Sequence, residues 1–474
     1  MRTKSRRAKY KSEHEAAILD ELERLAHGIS APFVCGGAVV PAAPVSLRFK
    51  DGAELAVSRQ ANVLEQAKAL ESLVARCGMA PFGFGRRTLY NRTVRDALQL
   101  KAADGVFAVQ NFDPLRSGIL DAVRSQLAPL DPNPLSAELY SLNVYGSGGH
   151  FRPHKDTPRG GDMMGSLVVC LPSQFVFGSF VVSHHGVHKV FDWAEEIRHQ
   201  ADPTALHWAA FFGDVDHAIQ EVFGGLRVTL TYILRRGEGA QPVPQPHGAP
   251  AELLHRRLIT AMADRHFLPR GGILGFPCFH MYSQEPWLQR KRGPLGKAAA
   301  LKLKGRDQQI ALAAMAAGLS VSLQPYLTES CADLTWQLNS FPSPTSLGRL
   351  GYRVGPDDLE QALPITSEPK DPPDFGVTWV GQPPRFNFGA QEPQPMSEED
   401  PENPQSDEPA LRQIHACEYS HTGYFGNEGG DTEFYVYAAL QIAVPPLGDP
   451  TRPASGRARP AAPGVTSRTE PRLS

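Results

Sequence analysis

The sequence predicts an α+β chain organised around a β-rich segment, and three observations predict it. Between Tyr140 and Arg236, apolar and polar residues alternate in short runs separated by glycines, the period of half-buried strands and tight turns. On either side of that segment, apolar residues recur at the spacing of amphipathic helices. The chain has 474 residues, long for one domain and comfortable for two.

The central strands carry the chemistry. From Leu139 to Tyr145, the residues Tyr140, Leu142 and Val144 share one face, and Ser141, Asn143 and Tyr145 share the other. Gly146, Gly148 and Gly149 end that strand, and the chain re-enters through Phe151 to His154-Lys155-Asp156. Residues two apart in extended backbone point the same way, so His154 and Asp156 can close on one metal ion. Trp208 to Phe212 reads as a strand, Gly213 to Asp216 as a turn, and His217 to Val222 as the returning strand. Gly224-Gly225 then turns the chain into Leu226 to Leu234, where Arg227, Thr229 and Thr231 alternate with apolar neighbours.

Two imidazoles and one carboxylate on one face of iron(II) leave its other positions open for a co-substrate and dioxygen. If that co-substrate is a small dicarboxylate, a guanidinium fork matches its far carboxylate and a hydroxyl two residues along adds a hydrogen bond, which is what Arg227 and Thr229 offer. Each signal alone is weak. His-x-Asp arises by chance in many chains, and a strand arginine equally well pairs with a carboxylate or faces water. It is the sequence order of His154, Asp156, His217 and Arg227 that combines them.

On these residues the segment from Tyr140 to Arg236 resembles the iron(II)/2-oxoglutarate-dependent dioxygenases, and within them the prolyl-4-hydroxylase-like branch. The matching phrases are Leu142-Asn143-Val144-Tyr145, His154-Lys155-Asp156-Thr157-Pro158-Arg159-Gly160, Ser166 to Pro172, and Asp216-His217 through Gly225-Leu226-Arg227-Val228-Thr229-Leu230-Thr231-Tyr232. The resemblance implies a double-stranded β-helix, a jelly roll with the metal at its open end. It implies that His154, Asp156 and His217 hold Fe(2+), and that Arg227, supported by Thr229 and Tyr145, holds the distal carboxylate of 2-oxoglutarate. The implied reaction consumes O2, releases succinate and CO2, hydroxylates an aliphatic carbon, and is assisted by ascorbate. Related halogenases carry a small residue where this chain has Asp156, so hydroxylation or oxidative demethylation is expected rather than halogenation. A prolyl or other peptidyl side chain is the substrate suggested by analogy, with small molecules as the alternative.

The remaining segments support that core. Residues 1–31 are expected to form a basic arm and a helix: Ser12 and Glu15 resemble a capping box, Ile18, Leu19, Leu22 and Leu25 repeat at helical spacing, and Gly28 closes the helix. Residues 32–236 form the expected oxygenase domain, with its core at 136–236. Within it, Val45 to Phe49 and Leu55 to Val57 flank Asp51-Gly52 as a hairpin, Leu64 to Val74 forms a helix, and Phe82 to Arg87 is read as a glycine-rich loop. His184 and His185 are expected as solvated residues of a hairpin turn. Arg152, Lys155 and Arg159 could form a positive rim at the barrel mouth or an ordinary charged surface. A linker is expected at 237–250, and a C-terminal mixed α/β region at 251–447 with a helix capped by Asp307. The strand-like run Phe434 to Val444 is expected to complete a sheet begun earlier in that region. An acidic, proline-rich insert at 392–409 and a tail at 448–474 are expected to be disordered. No second iron centre is expected there.

Composition narrows the classes further. Lys plus Arg number 48 against 50 Asp plus Glu, so no global field points to nucleic acid, and the short basic N-terminus is the one candidate arm for it. Six cysteines form no C-x-x-C pair, and no apolar run follows the basic N-terminus, so an intracellular protein, cytoplasmic or nuclear, without a signal peptide or transmembrane segment is expected. The expected partner is a protein, peptide or small-molecule substrate. The competing reading is a non-catalytic jelly-roll scaffold acting through its C-terminal region.

Overall fold

The computed structural model describes residues 13–58, 63–84, 87–131, 133–237, 249–283, 300, 302–325, 377–381, 424–426, 435–436 and 438–453. The expected acidic insert, most of the expected linker and most of the tail lie outside the described residues, as does Ser12. Among the described residues strands predominate and six α-helices accompany them.

Two antiparallel sheets enclose the first core. One has seven strands in the order Val34–Val39, Leu206–Phe212, Met163–Cys170, Arg227–Arg236, Leu135–Tyr145, Leu98–Lys101 and Gly78–Met79. The other has five, in the order Val187–Phe191, Phe180–His184, Asp216–Ile219, His150–His154 and Arg95–Asp96. From residue 135 onward the chain passes back and forth between them, because the turns at Gly146 to Gly149 and Gly213 to Val215 carry it from a long strand of the first sheet into a short one of the second.

Leu206–Phe212 is buried along its whole length, which explains the unbroken apolar run from Trp208 to Phe212. One face meets the space between the two sheets, where Phe211 packs against Phe180 and His217. Helix Ile119–Leu127 buries Ile119, Leu120, Val123 and Leu127 and packs against strands Val34–Val39 and Leu135–Tyr145. Gly165 is required by close approach of strands: a Cβ there would lie 1.9 Å from the Phe211 carbonyl oxygen.

A second core lies in the C-terminal region. Its sheet runs Ser320–Pro325, Ala438–Val444, Gly272–Pro277 and Val377–Trp379, with the last pair parallel. Ala438–Val444, from the run expected to complete an earlier sheet, sits between two earlier strands of it. Helices Ala249–Ala263 and Gly305–Ala316 pack on it through Leu254, Leu258, Ile310 and Ala314. The N-terminal helix Glu13–His27 buries Ile18, Leu19, Leu22 and Ala26 in this same core, so the partner of its apolar face is the C-terminal region and not the barrel. Among the described residues, no helix is long and apolar enough to cross a membrane.

Two local expectations are corrected. Phe82 to Arg87 is not simply a loop: Phe82–Phe84 and Arg87–Leu89 pair as a hairpin, and Tyr424–Phe425 adds a third strand to it. Asp307 does not cap its helix, which begins at Gly305 after Lys304. Instead its buried carboxylate accepts the Phe279 and His280 amides and the Tyr282 hydroxyl.

Candidate active site

Strand register assembles the predicted residues. His150–His154 pairs with Asp216–Ile219 so that His154 and His217 are direct partners, and their ring centroids stand 4.1 Å apart. Asp156 follows two residues later, its amide held by the Gly213 carbonyl at 3.0 Å. Its Oδ1 lies 3.6 Å from His217 Nε2. That separation is too long for a hydrogen bond and within the roughly 4.2 Å that two ligands about 2.1 Å from one ion can span. His154, Asp156 and His217 are therefore brought together.

The orientation of both rings suits metal binding. His154 Nδ1 donates to the Arg152 carbonyl at 2.8 Å, and His217 Nδ1 donates to the Val215 carbonyl at 3.1 Å. A proton on Nδ1 leaves the lone pair on Nε2, and a backbone acceptor behind a ligating imidazole is a usual support for a metal. Burial pushes both imidazoles below the ordinary histidine range, His154 well below, so both rings are neutral donors near neutral pH. Burial pushes the Asp156 carboxyl up, while His217, Ser166 and Arg159 oppose that shift. Asp156 Oδ2 is buried without a hydrogen-bond partner.

Arg227 is the more unusual residue. It is fully buried, and none of its three guanidinium nitrogens has a hydrogen-bond partner. Register places it opposite Tyr145, as Thr229 is opposite Asn143. The guanidinium lies over the Tyr145 ring at 5.5 Å and the Trp193 ring at 5.2 Å. A charge this deep is costly unless paired. An anion with two oxygens would supply the missing partners. Gly178, at φ +69°, lets the backbone approach: a Cβ there would meet Val222 at 2.6 Å and the Arg227 Cδ at 3.5 Å.

Sequence reading missed several contributors. Trp193, on helix Trp193–His199, covers Arg227 from outside the motif-bearing strands. Arg95 is buried, donates to the Pro81 carbonyl and to Asn143 Oδ1, and lies over Phe151, which itself stacks on His154. No local signal marks either residue, because each reaches the site by tertiary packing alone. Of the three basic residues that flank the ligands, Arg152 is exposed and the other two are engaged. Lys155 is buried with its ammonium on the Asp214 carbonyl and the Asp216 carboxylate, and Arg159 stacks on and donates to Tyr140.

A second His/Asp/His group, not anticipated from the sequence, lies beside the first. His184, Asp214 and His280 are buried and can bring one ligand atom each within 4.8 Å of the others. Asp214 is already supplied with donors: Lys304 Nζ at 2.7 Å, the Met281 amide at 2.9 Å and His280 Nδ1 at 3.0 Å. Burial pushes its carboxyl up, but Lys304 and His280 outweigh that and hold it well below the usual carboxylate range. An ammonium on the carboxylate neutralises the charge a cation would need, so this group is an ion-pair network. His184, expected in solvent, is instead buried under Phe279 and His280, because the C-terminal segment folds over the end of its hairpin. His185 remains exposed.

No family model and no curated protein matches the chain. Among solved structures, it is similar to a Pseudomonas putida prolyl-4-hydroxylase (15% identity, 36% of this chain and 84% of that one, TM-score 0.23). It is also similar to an oxidoreductase of the 2OG-Fe(II) oxygenase family from Burkholderia pseudomallei (18% identity, 39% and 84%, TM-score 0.22). A third is a Trichoplax adhaerens prolyl hydroxylase in complex with a hypoxia inducible factor peptide fragment (15% identity, 48% and 94%, TM-score 0.25). The resemblance is to 2OG-Fe(II) oxygenases. At such identities and TM-scores these likenesses assign no substrate or reaction to this chain, so the functional reading stands on the geometry of the site.

Proposed function

We propose that this protein is an iron(II)/2-oxoglutarate-dependent dioxygenase in which His154, Asp156 and His217 hold the metal and Arg227 holds the far carboxylate of 2-oxoglutarate. The observation that carries this reading is the buried Arg227 guanidinium with no hydrogen-bond partner, in the same barrel as two Nε2 lone pairs and an unpaired Asp156 oxygen. The alternation of successive strands between two sheets is that of a jelly roll, and we read the core as a double-stranded β-helix.

The residues divide the work. The backbone acceptors at Arg152 and Val215 fix the two imidazoles, and these with Asp156 would hold the metal ion through three ligands. Arg227 would fix the co-substrate's orientation, Thr229 and Tyr145 line the same face beside it, and Trp193 covers the guanidinium. When bound, iron with 2-oxoglutarate and O2 supplies the oxidising chemistry that hydroxylates an aliphatic carbon and yields succinate and CO2. A peptidyl side chain, prolyl among them, is the substrate class to test first, and membrane and nucleic acid are not the proposed partners.

The test is succinate formation from 2-oxoglutarate by anaerobically purified protein given iron(II), ascorbate and air, beside His154→Ala. Production that vanishes in the variant supports the reading. Failure of the native protein to bind either iron(II) or 2-oxoglutarate overturns it.

A further inference from the structure

The turn that delivers His217 is gripped from two sides. On the barrel side, three consecutive carbonyls each hold a ligand segment. Gly213 O accepts the Asp156 amide at 3.0 Å, Asp214 O accepts the Lys155 ammonium at 2.8 Å, and Val215 O accepts His217 Nδ1 at 3.1 Å. Lys155 lies between the first two proposed ligands and reaches Asp216, the neighbour of the third, at 3.0 Å. The positions of His154, Asp156 and His217 relative to one another thus depend on where this one turn sits.

The opposite grip comes from the C-terminal region. The single fully buried carboxylate of the turn, Asp214, is held by Lys304, His280 and the Met281 amide. Lys304 also donates to the Met281 carbonyl at 3.0 Å, and Asp307 fixes the Phe279 and His280 amides from the other side. A second contact reaches the ligand strand itself, where the Gly426 amide donates to the Lys155 carbonyl at 2.8 Å.

We propose that Asp214 is a positioning residue through which the C-terminal region sets the geometry of the metal site, so that the barrel is an incomplete enzyme without the segment 279–282 and Lys304. This rests on the reading of His154, Asp156 and His217 as metal ligands. The first core closes among its own residues, yet it buries an aspartate whose carboxylate, among the described residues, takes its hydrogen bonds from His280, Met281 and Lys304 of the C-terminal region. A carboxylate placed at the metal turn and satisfied entirely from elsewhere couples the two. Residues behind metal ligands typically change metal affinity about 10–100-fold when altered.

Coupling is reciprocal, so metal binding must also tighten the clamp. The first arm measures hydrogen exchange of the native full-length chain with and without Co(II), a stand-in for iron(II) that does not turn over. Slower exchange at 279–282 as well as at 213–217 is expected, and protection confined to 213–217 overturns the coupling. The second arm compares Asp214→Asn with Arg452→Met. Arg452 ties Met262, Phe267, Leu268 and Pro445 carbonyls in the C-terminal region without touching Asp214. Asp214→Asn is expected to weaken Co(II) binding about 10–100-fold and to shift the visible bands of the bound ion, whereas Arg452→Met lowers the melting temperature but leaves affinity and bands unchanged. Native bands and affinity in Asp214→Asn overturn the proposal, and if that variant does not fold the exchange arm decides alone. Absence of Co(II) binding by the native protein overturns the proposed function, and the coupling with it.

Discussion

Replacing Arg227 by methionine separates a residue kept for a ligand from one kept for the fold. Methionine preserves the apolar stem and removes a guanidinium that is fully buried and has no hydrogen-bond partner. An uncompensated buried charge costs about 3–5 kcal/mol. Against this stand the two ring contacts at 5.5 and 5.2 Å, each worth about 1 kcal/mol near the outer edge of the cation–π range. The difference favours the variant by about 1–3 kcal/mol in the absence of ligand. That raises the melting temperature on the order of 2–4 °C per kcal/mol for a domain of this size. The same variant should lose about 2–5 kcal/mol of 2-oxoglutarate binding, since one partner of a buried charge pair is gone, or roughly 30-fold to several thousandfold in affinity. Scanning calorimetry without ligand and titration calorimetry with 2-oxoglutarate on Co(II)-loaded protein read the two effects. A variant that is less stable than the native protein and binds 2-oxoglutarate normally refutes the placement of Arg227.

Other predictions follow from the same geometry. Asp156→Ala should abolish metal-dependent succinate production while leaving the circular dichroism spectrum native, since its Oδ2 makes no hydrogen bond and loss of the Ser166 hydrogen bond costs the fold only about 1 kcal/mol. Co(II) should bind at one equivalent per chain, because Lys304 already occupies Asp214 in the second His/Asp/His group; a second tight equivalent, lost in His280→Ala, would show that reasoning to be wrong. Burial and the stacked His280 hold His184 well below the ordinary histidine range. The unfolded chain therefore takes up a proton below about pH 6.5 that the folded one refuses, and stability falls as pH falls. Denaturant melts at several pH values should show His184→Gln losing up to about 1.4 kcal/mol per pH unit less than the native protein in that range. Gly165→Ala should fail to fold or melt far below the native protein, because its Cβ has no space beside the Phe211 carbonyl; a native melting curve would contradict the strand packing.

Sequence by itself determined what lies within one strand or one turn. Alternation located strands at 139–145 and 226–234 and an apolar run located one at 208–212, inside the observed Leu135–Tyr145, Arg227–Arg236 and Leu206–Phe212 to within a residue. The two-residue period identified the ligand candidates because it fixes which side chains share a face whatever the strand later pairs with. His154 and Asp156 could be linked to each other for that reason, and to His217 and Arg227 by order along the chain. What only the tertiary structure decided is everything that depends on a neighbour distant in sequence. Lys155 and Arg159 read as surface charges, yet one is buried on the turn before His217 and the other rests on Tyr140. Asp307 reads as a helix cap and instead holds the segment at 279–282. His184 and His185 are adjacent and look equivalent, but the C-terminal segment buries the first and leaves the second exposed. Helix Glu13–His27 advertises an apolar face without naming its partner, which proves to be the far end of the chain. Local periodicity records a residue's facing direction. Burial of a charge depends on which groups arrive from elsewhere to compensate it, and that is a property of the assembled fold.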